Sequence, residues 1–291
     1  MANAVARFAE LAPQYDAARP QAPAELAEVL RQWAQTAEPD VVDLGAGTGL
    51  SAVLWIGRAR QVTAVEPGEA MRTIALRRFG LGADKPSGIL GSSAAAPRTA
   101  VPGEAAAAAP ARQTAVTVAA GSAEASGLPD ACADIVTASQ AMHWFDPDRA
   151  LPEIARLLRP GGVLAAYDCD WPPAIDWQTS AAWAELAARV DAEQARRGLP
   201  AVHGGKEHLG RIRRSGLFRH CARVAVHGRD RGDAERFVAL ALSAIGCAAE
   251  FLEDGCDESA LGLTGLKEAA ARRLAGPQTW WWTYQVCLAV R

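Results

Sequence analysis

The sequence predicts an α/β fold, with a mostly parallel sheet covered by helices on both sides. Three observations carry this. Short β-branched runs alternate with stretches of helical periodicity, the order that builds parallel β-α-β units with right-handed crossovers. The first of those runs, DVVDL, leads straight into a glycine cluster, Gly45, Gly47 and Gly49. The helix face Leu151, Ile154, Ala155 and Leu158 is closed by Pro160-Gly161-Gly162, a stop signal ahead of another apolar run.

Each element follows in order. Leu26, Val29, Leu30 and Trp33 recur at i, i+3, i+4 and i+7, which marks one face of a helix. DVVDL is the first buried strand and QVTAV, Gln61 to Val65, the second. Pro67-Gly68 then introduces a helical stretch through Phe79. Ala115 to Ala119, Asp134 to Ser139 and Val163 to Tyr167 supply the third, fourth and fifth strands. Residues 80–114 break the rhythm. They are rich in Ala, Pro, Ser and Gly without a sustained amphipathic period, and read as a low-complexity surface insertion. Past Asp170, Thr179 to Arg197 and Asp233 to Ala244 read as amphipathic helices with a strand, Cys221 to Val226, between them. TWWWTYQVCLAVR suits a terminal strand.

At 291 residues the chain reads as one large domain able to bury its own core. A formal net charge of -3 gives no basic footprint for nucleic acid or an anionic membrane. The six cysteines form no C-x-x-C pair and no Cys/His cluster with zinc-finger spacing, so they read as thiols of a reducing compartment, with no metal expected. MANAVARFAE lacks the features of a signal peptide, and no apolar run is long enough to span a bilayer. The expectation is a soluble cytoplasmic protein.

VVDLGAGTG carries the chemistry. A buried strand delivers Asp43 to its carboxyl edge, where open α/β sheets bind ligands, and the glycines let a ligand lie against the backbone. The spacing G-x-G-x-G differs from the dinucleotide pattern G-x-G-x-x-G. A carboxylate just before the loop also repels a pyrophosphate and attracts an ammonium group. Glu66 ends the second strand, where an acid can accept hydrogen bonds from two ribose hydroxyls.

VVDLGAGTG, AVEP, GSAEASGLPDACADIVTASQAMHWFD and EIARLLRPGG, with YDAARP before them and WWWTYQVCLAVR after, resemble the class I S-adenosylmethionine-dependent methyltransferases. More narrowly they are similar to the methyltransferase type 11 group of small-molecule enzymes. The resemblance implies a doubly wound seven-stranded sheet, Rossmann-like, with an antiparallel last strand and helical lid elements over 169–220 and 233–275. The implied cofactor is S-adenosyl-L-methionine. Asp43 and the backbone of Gly45, Ala46, Gly47 and Gly49 would hold its methionine part and Glu66 its ribose. Pro67 and Met71 would flank the adenine, Ala123 with Glu124 would read its amino edge, and Gln140 would sit beside the methionine moiety. Tyr15 and Arg19 would close over it, Arg19 pairing with the methionine carboxylate. Met71 is equally a core helix residue, and Arg19 equally a surface arginine.

His143 and Trp144 follow the fourth strand, where the methyl group should point. The histidine is open between general base and structural hydrogen-bonder, and Trp144 between stacking on a substrate and filling the core. Asp168 and Asp170 are candidates for the same cleft and Trp171 for its wall. His203, His208, His220 and His227 lie in basic, polar stretches and read as solvated. The implied reaction is methyl transfer to an O, N, S or C atom of a small molecule, with secondary metabolism as a setting. The alternatives are a non-methylating use of the cofactor, or a protein that only senses it. Asp170-Trp171-Pro172-Pro173 does not reproduce the acidic-Pro-Pro-aromatic string of amino-methylating enzymes, so a nucleic-acid substrate is not expected. No membrane partner is expected, and a homodimer stays open.

Overall fold

The computed structural model describes residues 18–91, 112–199 and 207–291. Among these, eight strands make one sheet: β1 (Asp40–Leu44), β2 (Gln61–Glu66), β3 (Ser87–Gly91), β4 (Gln113–Ala120), β5 (Ala133–Ser139), β6 (Leu158–Cys169), β7 (His220–Gly232) and β8 (Gln278–Val290). Their spatial order is β3-β4-β2-β1-β5-β6-β8-β7. The pairs β4–β2, β2–β1, β1–β5 and β5–β6 are parallel. β3 on β4, β8 on β6 and β7 on β8 are antiparallel.

The doubly wound reading holds, and its strand count is corrected from seven to eight. The extra strand, β3, lies inside the segment read as an insertion. It shows no buried face to betray it: Ile89 is 67% exposed, and every residue of the strand is at least partly open to solvent. Edge pairing with β4, including a 3.0 Å hydroxyl contact between Ser87 and Thr117, holds it there, with Leu90 alone packing against the core. Residues 92–111 of that segment lie outside the described residues.

The helices are α1 (Ala24–Trp33), α2 (Leu50–Val53), α3 (Glu69–Arg78), α4 (Pro147–Leu157), α5 (Trp177–Arg196), α6 (His208–Arg214), α7 (Ala234–Ala244), α8 (Ala248–Glu253), α9 (Glu258–Leu261) and α10 (Leu263–Arg273). Alternation along β1 feeds two cores, as a strand covered on both faces requires. Val41 packs in the cluster that holds Leu26 and Leu30 of α1 with Trp55 and Val62. Val42 and Leu44 pack in the other, with Leu151, Ile154 and Leu157 of α4. Asp146 caps α4, accepting from the backbone N–H of Asp148 at 3.1 Å, and Pro147 occupies its first turn. The stop expected after α4 is abrupt, for β6 begins at Leu158.

β8 outruns β6. Tyr284 to Val290 pair with β6, whereas Gln278 to Thr283 pair along their length with β7. On this ledge the period of two sets Trp280, Trp282 and Tyr284 inward and leaves Trp281 54% exposed. Trp183 of α5 and Phe237 of α7 meet the inward face. Ring centroids are 5.5 Å apart for Trp183–Phe237 and 5.9 Å for Phe237–Trp280. Leu266 of α10 joins the same cluster. The helices expected as one lid therefore divide, because α6 packs through Leu209 and Ile212 with the opposite core. No helix among the described residues is long and apolar enough to cross a membrane, and the six cysteines carry free thiols.

Candidate active site

The carboxyl ends of β1, β2, β4 and β5 open into one pocket. Gly45, Ala46 and Gly47 line it after β1, Glu66 and Pro67 after β2, Ala123 and Glu124 after β4, and Gln140 with Trp144 after β5. Met71 of α3 and Arg19 complete the part anticipated from sequence. Met71 is 6% exposed and lines the pocket, so it is a packed helix residue that also borders the cavity.

Gly47 has φ +56, and a Cβ built on it would meet no atom within 4 Å. The backbone there faces open pocket, which a side chain would fill. Gly49 serves packing instead. It is not among the lining residues, and a Cβ there would come 2.9 Å from the Phe79 ring at a φ of +83.

Glu66 locks the loop. One carboxylate oxygen accepts the Gly47 N–H at 2.9 Å and the other the Gly68 N–H at 2.8 Å. Each oxygen keeps a further lone pair for a hydroxyl donor. Burial pushes the Glu66 carboxyl above its ordinary value, and the two backbone bonds offset part of that. The other pocket acid, Glu124, accepts the Asp146 N–H at 3.0 Å through Oε1, while its buried Oε2 has no hydrogen-bond partner among the described residues.

Asp43 is wholly buried behind the pocket wall rather than in it. Its Oδ1 accepts the hydroxyls of Thr137 at 2.6 Å and Ser51 at 3.1 Å, and the Ser51 hydroxyl also contacts that of Tyr167 at 2.6 Å. Its Oδ2 is buried with no hydrogen-bond partner among the described residues. Desolvation, partly offset by these hydroxyls, raises its pKa to about 7. The contrast with the amino ends of the strands is sharp. There Arg159 donates to Asp40 at 2.8 Å and pairs with Asp134 at 2.7 Å.

Arg19 spans the pocket's rim. It donates to Gln140 Oε1 at 2.8 Å and to the Ser243 carbonyl of α7 at 2.8 Å, and its guanidinium lies 4.7 Å from the centroid of the Trp171 ring. Trp171 is thus a platform for Arg19, stacked beside Trp183, and is not among the lining residues. Tyr15 and His203 lie outside the described residues.

His143 is not among the lining residues either; its neighbours Trp144 and Phe145 are. Its Nδ1 lies 3.8 Å from Asp168 Oδ1. Asp170 is exposed and accepts from Gln285 at 3.1 Å. His220 and His227 are exposed as expected, but His208 is corrected: it is 2% exposed, with Nε2 3.2 Å from Asp168 Oδ2. Opening α6, it turns inward with Leu209 rather than outward with the arginines that follow. Sequence reasoning also missed Ser51, Tyr284 and Phe145 as pocket residues. Only Tyr284 carried a signal, its period-two spacing from Trp280 and Trp282.

Known proteins resemble this chain in sequence and in fold. Residues 42–166 match the methyltransferase domain family. Uncharacterized methyltransferases of Mycobacterium tuberculosis and Mycobacterium bovis are 34% identical over 157 residues, 54% of this chain and 49% of theirs. The chain thus spans about half the length of the curated relatives it matches. A solved structure from Anaeromyxobacter dehalogenans, provisionally named a type II methyltransferase, superposes with a TM-score of 0.58 at 24% identity, covering 94% of this chain and 97% of the other. Residues 42–166 therefore match the methyltransferase domain family, and the chain shares the fold of a solved protein named a methyltransferase.

Proposed function

We propose that the chain transfers a methyl group from S-adenosylmethionine to a small-molecule acceptor. The observation that carries the reading is Glu66, fixed by two backbone N–H groups at the lip of a glycine-lined pocket with lone pairs to spare. The pocket suits the cofactor: Gly47 leaves room against the backbone, and Glu124 brings a buried oxygen that has no hydrogen-bond partner among the described residues. In this reading Glu66 holds the ribose hydroxyls, and Gly45 to Gly47 face the methionine part. Pro67 and Met71 flank the base, Ala123 and Glu124 read its edge, and Arg19 and Gln140 close the methionine end.

When bound, the cofactor supplies an activated sulfonium methyl. The chain's own contribution is alignment and exclusion of water. Trp144 and Phe145 wall the pocket beside Gln140, and an acceptor seated on them would lie beyond the methionine end. The helical elements of 169–220 and 233–275 would supply its cover, α7 through the Arg19–Ser243 contact. Incubation with methyl-labelled cofactor and a panel of small O, N, S and C nucleophiles tests the activity. Label in an acceptor supports it. Calorimetry showing NAD binding, with no response to S-adenosylmethionine or its demethylated product, would overturn it.

A further inference from the structure

Behind the pocket wall, three groups capable of binding a metal converge from distant parts of the chain. His143 lies in the 3-10 turn after β5, Asp168 lies near the end of β6, and His208 opens α6. One donor atom from each lies within 4.8 Å of the others. Four ligands held about 2.0–2.2 Å from a tetrahedral ion stand about 3.3–3.6 Å from one another. The separations, 3.2 Å from Asp168 Oδ2 to His208 Nε2 and 3.8 Å from Asp168 Oδ1 to His143 Nδ1, lie on either side of that spacing, one carboxylate oxygen facing each ring. The longer one exceeds a hydrogen bond, so the His143 ring faces the carboxylate across a gap.

We propose that His143, Asp168 and His208 bind one divalent transition-metal ion, with zinc the best fit. Two imidazoles and a carboxylate with one position left open are the donor set of a reactive zinc centre rather than of a closed structural one. The site is built asymmetrically. The side chains of His208 and Asp168 are 3% and 10% exposed, whereas that of His143 is 18% exposed. The open position therefore lies on the His143 side, whose ring centroid is 4.9 Å from that of Trp144 in the pocket wall. It would take a water, or an oxygen or nitrogen donor of a small molecule. Binding of the ion does not depend on the methyl-transfer reading, because no residue of the cofactor pocket takes part.

The probe is zinc itself, titrated into metal-stripped full-length protein and counted by mass spectrometry after dialysis, with cobalt as a spectroscopic substitute. The expected result is one zinc per chain. Its affinity should fall at least about 30-fold in His143→Ala and in His208→Ala, since losing a ligand costs no less than losing a group that merely orients one. Cobalt should give visible bands of a four- or five-coordinate nitrogen–oxygen site, and both variants should abolish them. If His208→Ala fails to fold, His143→Ala, at the more exposed of the two histidines, carries the test alone. No stoichiometric zinc, unchanged affinity in His143→Ala, or a thiolate-to-cobalt absorption showing capture by cysteine would each overturn the proposal. S-adenosylmethionine calorimetry on the same samples reads the cofactor pocket separately.

Discussion

Glu66 is a structural clamp as well as a candidate ligand group, so its removal has to be designed with care. Truncation to alanine would strand the Gly47 and Gly68 amides that it accepts. Glutamine keeps the shape and one acceptor oxygen. Glu66→Gln should lower affinity for S-adenosylmethionine about tenfold, the loss of roughly one charge-assisted hydrogen bond, measured by calorimetry. Unchanged affinity would take Glu66 out of the site. Asp43 invites a different measurement. Its carboxyl holds a proton up to about pH 7 in the folded chain, against a value of 3.8 without the fold. The unfolded chain thus gives up this proton first as pH rises. Stability carried by the group is full below about pH 4, declines between pH 4 and 7, and is gone above that. Asp43→Asn keeps an oxygen for Thr137 and Ser51 without the ionisation. It should stabilise the apo protein by about 1 kcal/mol or more at pH 8 and flatten its pH profile in denaturant titrations. The positions of both acids were legible in the sequence because each lies at the carboxyl end of a strand, though not that Asp43 would sit behind the pocket wall. The hydroxyls around Asp43 were not, since Thr137 arrives from β5 and Tyr167 from β6. Nor was the inward turn of His208, which depends on how α6 meets a carboxylate 40 residues upstream.

Among the elements, the parallel strands and their helices declared themselves through continuous apolar runs and 3.6-residue spacing. β3 did not, because an edge strand whose one covered face offers only Gly88 and a partly buried Leu90 has too little pattern to display. A deletion running from Ser87 to Ala109 would remove that strand and uncover β4. The register suggests a cleaner cut. Gly91 and Gln113 are directly opposed in the antiparallel pair, so a two-residue turn can join them. Replacing 92–112 with Asn-Gly should leave the midpoint of thermal unfolding within a few degrees of the wild type and preserve cofactor affinity, because loop closure varies slowly with length. Loss of soluble protein would show that the removed residues contribute packing that β3 and β4 need. α6 gives the complementary lesson. A short run of seven residues, HLGRIRR, has too few turns to display a face, and only its packing against β7 and β8 reveals one.

Across the whole molecule, the two cores share one sheet, and the second half of the chain builds a helical layer on the overhang of β8. The resemblance anticipated that layer as cover for a substrate, but its attachment runs through tryptophans whose partners lie far apart in sequence. Arg19 joins the layer to the sheet. A single guanidinium bonds Gln140 beside β5 and Ser243 in α7 while lying against Trp171, and the same residue lines the pocket. The consequence is temporal. Arg19, Pro20 and Ala22 line the pocket together, and the expected outcome is that release of a bound ligand quickens when these anchors are weakened. Lysine can satisfy one anchor and not both. In stopped-flow displacement, Arg19→Lys should speed release of the demethylated cofactor about tenfold while its association rate changes far less, and amide exchange across Ala18 to Ala22 should quicken in step. Equal release rates in the two proteins would mean that residence time is set inside the pocket and that Arg19 only tidies its rim.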